Sequence, residues 1–189
     1  MSLVAWAVMV AAGAIGLRLL FWPVGSSRPS RDGYAQERAR QPAEIATGEL
    51  VLSESYLRCD VPRRLGARVD QVYRTTGGIL VPVDTKVRYR REVRREDVIE
   101  LSVQASVLRN TRSPDRPRGA VAGWGYVRVA PPDGGAVTYL KTTLLDDALL
   151  VELYERHFEL MGGAPARKAA NPNNCEHCPK RGRCPSLVG

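Results

Sequence analysis

Two stretches decide the fold: Ala67-Arg-Val-Asp-Gln-Val-Tyr73 and Ile79-Leu-Val-Pro-Val-Asp-Thr-Lys86. Each alternates or runs in β-branched residues, and Arg74-Thr-Thr-Gly-Gly78 between them carries the paired glycines of a tight hairpin. A two- or three-residue loop centred near Gly77 brings Asp70 opposite, or nearly opposite, Asp84. Asp84 and Lys86 are two residues apart on one strand, so they project to the same face. Facing carboxylates repel across a strand pair unless something of opposite charge lies between them. Magnesium or manganese would remove that repulsion and act as a Lewis acid, with the Thr85 carbonyl as a further oxygen ligand. Lys86 would hold the attacking water and stabilise negative charge. The competing explanation is a solvated hairpin with an Asp–Lys ion pair. Pro82 removes a ladder donor and predicts an imperfect pairing there, such as a bulge.

Working outward, Glu96 to Asn110 reads as a helix, because Val98, Leu101, Ala105 and Leu108 recur at helical spacing. Trp124–Ala130 and Ala136–Lys141 flank Pro131-Pro-Asp-Gly-Gly135 as a second hairpin, and a second helix spans Leu145 to Met161 before Gly162-Gly163. The predicted order is hairpin, helix, hairpin, helix and a short cysteine tail, a mixed α/β domain.

The first 22 residues carry one charged side chain, Arg18. Leu3 to Trp22 is long enough to cross a hydrocarbon core of roughly 30 Å, and Arg18 lies near one end, where it can reach the headgroups. A cleaved signal peptide would need a cationic start and small residues after the apolar run, whereas Arg18-Leu-Leu-Phe-Trp-Pro23 follows. Arg28, Arg31, Arg38 and Arg40 flank the C-terminal side, which predicts an outside N-terminus and a cytoplasmic body. The expected organisation is an anchor over residues 1–23, a basic tether over 24–48 with some helix near Tyr34 to Arg40, and a folded domain over 49–189. The net charge of +8 suits a polyanionic partner or an anionic lipid surface.

Cys175-Glu-His-Cys178 and Cys184 stand in a tail too polar to bury a core, so a bound metal would order it. Cys59 or His177 would complete the ligand set, and a reducing compartment favours metal over disulfide. Cys59 also suits the role of an ordinary buried thiol. Lys180, Arg181 and Arg183 could reach phosphates or simply solvate the loop.

Together, Leu65-Gly-Ala-Arg-Val-Asp70 and Gly77-Gly-Ile-Leu-Val-Pro-Val-Asp-Thr-Lys86, followed by a helix and a Cys-x2-Cys-x5-Cys tail, resemble the PD-(D/E)XK nucleases. Within them the chain looks like the RecB-like branch with the CRISPR-associated iron–sulfur exonucleases. The resemblance implies a restriction-endonuclease-like mixed sheet flanked by helices and a phosphodiester hydrolase acting on nucleic acid, with DNA expected ahead of RNA. It implies metal at Asp70 and Asp84, Lys86 as catalytic lysine, and a 4Fe–4S cluster on Cys59, Cys175, Cys178 and Cys184, with zinc the alternative. The branch's Gln-x-x-x-Tyr helix element stands here as Glu100-Leu-Ser-Val-Gln104, one turn apart on one face. Glu100 would approach the metal or the lysine, and Gln104 the nucleic acid; both could equally form a solvated face. Glu54 is a possible upstream carboxylate. The rival functions are a non-catalytic nucleic-acid-binding module and a metal-clamped interaction domain on the same fold.

Overall fold

The computed structural model describes residues 37–165 together with Glu176, Cys178 and Arg181. The proposed anchor, the tether as far as Gln36, and Cys175, His177, Lys180, Arg183 and Cys184 lie outside the described residues. No described helix is long and apolar enough to cross a membrane.

In chain order the elements are α1 (Ala43–Ala46), β1 (Glu49–Cys59), β2 (Leu65–Arg74), β3 (Leu80–Val87), α2 (Arg95–Asn110), β4 (Trp124–Ala130), β5 (Thr138–Thr143) and α3 (Asp147–Met161). The five strands form one mixed sheet in sequential order. β3 and β4 run parallel, joined across α2, and the other three pairs are antiparallel. A parallel pair needs such a crossover, and a helix of 16 residues supplies it.

The expected helices and hairpins are present with ends displaced by a few residues. Pro82 pairs with Val72 in regular register, so the expected irregularity at Pro82 is absent; the shift lies between Leu50 and Leu52 on β1. β1 itself was not foreseen. Its buried residues, Leu52, Leu57 and Cys59, break period two because Glu54 adopts φ 50°, and the inward parity changes across it. β2 switches likewise, with Val69 and Val72 both buried. Beyond this switch Leu57, Cys59 and Val69 pack with Val107 and Leu108 of α2.

α2 covers one face of the sheet. Leu101 and Ala105 pack with Val127, Val129 and Leu144. A side chain at Gly125 would put Cβ 2.7 Å from the Pro82 carbonyl oxygen and 2.8 Å from Leu101, so glycine permits this close approach. At the start of α2 the buried Asp97 accepts from Arg94 N–H at 2.8 Å and pairs with Arg88. Burial pushes Asp97 up, but these donors outweigh it and hold its carboxyl below the usual range.

The opposite face is covered by a segment expected to be tether. The folded unit begins at Glu37 rather than Glu49. Ile45 is 1% exposed and packs with Val81, Val83, Ala122 and Tyr126. Glu37 accepts from Arg128 Nε and Nη2, at 2.7 and 2.9 Å, and from the Tyr139 hydroxyl at 2.8 Å. Glu44 meets Tyr126 and Lys141. Composition hid this because one buried isoleucine among polar residues gives no periodicity; the polar residues are clasps. The Arg128 bonds hold Glu37 below the usual glutamate range. Its contribution is therefore present at neutral pH and lost as pH falls through that lowered value. Glu37→Gln should cost about 2 kcal/mol at pH 7, in line with hydrogen bonds to charged groups. The difference from wild type should shrink in acid, as thermal melts across pH would record; an unchanged melt at pH 7 would contradict the clasp.

Candidate active site

The hairpin register places Asp70 at the end of the β2–β3 ladder, one residue beyond the Gln71–Val83 pair. Continued by one step, that register sets Asp70 opposite Asp84. Asp70 Oδ2 accepts the Thr85 N–H at 3.0 Å. Asp84 is 1% exposed, and its Oδ1 accepts the Gln104 amide at 3.0 Å. Asp84 Oδ2 lies 2.9 Å from Lys86 Nζ, and Lys86 Nζ lies 2.6 Å from Glu100 Oε2. Each carboxylate has its own partners: a backbone amide for Asp70, and an amide and an ammonium for Asp84.

Two elements build this constellation. Strand alternation turns Asp84 and Lys86 to the face that α2 covers. The helical repeat brings Glu100 and Gln104 above Lys86 and Asp84 respectively. Glu100 therefore meets the lysine as expected. Gln104 does not reach solvent: it is 1% exposed and holds Asp84, so direct contact with nucleic acid is corrected to positioning of a carboxylate. Glu54 stays outside the site, paired with Arg68 at 2.7 Å.

Burial pushes the Asp84 carboxyl above its usual range, against the lowering effect of Lys86; the Glu100 charge adds to the rise. Burial lowers Lys86, but its bonds to Glu100 and Asp84 outweigh that and raise it, so it is a cation at neutral pH. Among the described residues the buried Asp84 Oδ2 has the Lys86 ammonium at 2.9 Å as its one polar partner. A buried carboxylate oxygen so placed, with the Asp70 carboxylate and the Thr85 carbonyl nearby on the hairpin, is an oxygen donor set of the kind hard divalent cations take. No group of three His, Cys, Asp or Glu poised for a metal occurs among the described residues.

Cys59 is buried at the end of β1, its thiol donating to the Arg63 carbonyl at 3.8 Å, and burial pushes that thiol up. Cys178 is half-buried, and both are free thiols. Cys59 also lines a cavity of about 430 Å³ with Asn110, Thr111 and Arg112.

None of the curated proteins matches the chain. The crystal structure of SSO0001 is 16% identical and superposes loosely, with a TM-score of 0.42, over 73% of this chain and 61% of that one. The chain thus spans less than two thirds of that protein. The family model of the PD-(D/E)XK nuclease superfamily matches residues 17–185. With that match over nearly the whole sequence, the chain belongs to the PD-(D/E)XK nuclease superfamily, whose members are metal-dependent nucleases that generally hydrolyse phosphodiester bonds.

Proposed function

We propose that the protein is a membrane-anchored nuclease that hydrolyses phosphodiester bonds of nucleic acid, DNA in the first instance, with magnesium or manganese at Asp70, Asp84 and the Thr85 carbonyl. The observation that carries this reading is the buried Asp84, fixed by Gln104 on one oxygen and beside Lys86 on the other. A divalent cation bound there would polarise the phosphate and make a bound water more acidic. Lys86, cationic at neutral pH, would stabilise negative charge growing on the phosphate oxygens. Glu100 holds that ammonium in place, and Gln104 keeps the Asp84 carboxylate from turning away. The test is cleavage of labelled single- and double-stranded DNA and RNA with magnesium or manganese against EDTA. Cleavage of none of them by metal-loaded protein would favour a non-catalytic binding module, with Lys86 locked between two carboxylates.

The anchor is residues 3–22, with the N-terminus outside and the nuclease domain in the cytoplasm; the apolar run and the arginines behind it support this. The domain is of the RecB-like type, close to the CRISPR-associated iron–sulfur exonucleases. Cys59, Cys175, Cys178 and Cys184 would hold a 4Fe–4S cluster, or zinc with His177 as the other fourth-ligand candidate. The cavity beside Cys59 supports a centre at that end of the hairpin. Such a centre would clamp the tail onto the domain. Replacing Cys175, Cys178 or Cys184 with Ser should remove the metal from anaerobically purified protein, as iron, sulfide and zinc analysis would report, and lower the melting temperature. Full metal in all three variants would refute a tail-based site. Retained metal in Cys59→Ser would move the fourth ligand to His177.

A further inference from the structure

The outer face of the β1–β2 hairpin has no role in the site described above. Tyr56 is 60% exposed there, far more than a structural tyrosine requires. Its ring has the Arg58 guanidinium 5.1 Å from its centroid. The register pairs Tyr56 with Arg68 and Arg58 with Gly66, so the ring lies diagonally across the strand over Gly66. A Cβ at Gly66 would fall 2.3 Å from the Tyr56 hydroxyl oxygen and 3.1 Å from Cζ. Glycine is therefore what lets the ring lie flat. A concavity of about 540 Å³ opens beside it, lined by Tyr56, Arg58, Asp60, Arg64 and Gly66. Among the described residues no carboxylate pairs with Arg58 or Arg64, whereas Arg68 is occupied by Glu54. Arg68 lies two residues before Asp70, about 7 Å along β2, with Tyr56 on the hairpin face turned away from the side on which Leu57 and Cys59 pack against α2.

We propose that this face, Tyr56 over Gly66 with Arg58 and Arg64, is a stacking platform for an unpaired base of single-stranded nucleic acid entering the active site. It rests on the nuclease reading only in naming that destination. An exposed aromatic ring with guanidinium groups that no carboxylate neutralises is the combination that holds single strands: the ring stacks a base, and the cations meet its phosphates. A paired base in duplex offers no open face to such a ring. The bland alternative is that Tyr56 covers Gly66 solely to stabilise the hairpin.

The test uses the full chain in EDTA, a labelled oligo(dT) and a blunt duplex of equal length. Wild type should bind oligo(dT) more tightly than the duplex. Tyr56→Ala should weaken oligo(dT) binding roughly tenfold, the size of one base–aromatic stack, and leave duplex binding unchanged. Tyr56→Trp should keep the affinity, and Gly66→Val should lose it with the tyrosine and both arginines still present. Arg58→Ala should lower the salt slope for single strands by about 0.7. Phe158→Ala, an equally exposed aromatic on α3, should change nothing. Wild-type affinity in Tyr56→Ala, or equal losses for oligo(dT) and duplex, overturns the platform. So does a Tyr56→Ala defect confined to phosphatidylserine vesicles. Metal-dependent cleavage by wild type alongside that result leaves the nuclease reading standing without it. Tyr56-dependent binding with no wild-type cleavage leaves the platform and removes the nuclease.

Discussion

Asp84→Asn is expected to lower magnesium- or manganese-dependent cleavage by about 10²- to 10³-fold or more, the range seen when one preorganised electrostatic group is lost. The metal-free protein should at the same time be as stable as wild type or more so. The amide oxygen can still accept from Gln104. What it removes is the cost of burying a charge, the cause that pushes the Asp84 carboxyl above its usual range. Because the folded value is raised, that cost builds as pH rises from the unfolded carboxyl's range to the folded one and vanishes in acid below both. The advantage of Asn should therefore grow towards neutral pH and close in acid, as melts in EDTA would show. Asp84→Ala is less informative, since it strands the Gln104 amide and should cost about 1–3 kcal/mol. Lys86→Ala should lose cleavage on the same scale, and Lys86→Arg should rescue it poorly, a planar fork being no substitute for a compact ammonium. Cleavage that persists in Asp84→Asn would sink the proposed site.

The second large effect concerns where the domain begins. A chain starting at Gly33 should be soluble and folded, whereas one starting at Gly48 should unfold or aggregate. The shorter chain lacks Ile45, and vacating a buried isoleucine site costs about 2–5 kcal/mol. It also strips Arg128 of Glu37, and Tyr126 and Lys141 of Glu44. Together these losses rival the about 5–15 kcal/mol that holds a typical domain. Circular dichroism melts of the two chains decide the point, and equal melting temperatures would contradict it. Fractionation of the intact chain is a separate readout. Recovery with membranes supports an anchor in residues 3–22, and recovery in the soluble fraction refutes it without touching the clasp.

Asp70, Asp84 and Lys86 were legible from the sequence because the rules that place them are local. Alternation puts Asp84 and Lys86 on one face, and loop length fixes the register of Asp70. The two long helices were legible for the same reason, each having enough apolar repeats to show its period. β1 was not, since the backbone turn at Glu54 splits its alternation into two short runs, neither long enough to read. Nor was the fate of the residues around Asp84. The spacing of Glu100 and Gln104 showed that they share a helix face, but not that one would clasp Lys86 and the other be buried against Asp84. By itself the sequence determined that Asp70, Asp84 and Lys86 meet on one hairpin and which strand presents each, through periodicities that need only neighbouring residues. Only the tertiary structure decided what covers each face of the sheet and which charges are buried, because burial and electrostatic balance depend on segments far apart in the chain, and no local pattern records that sum.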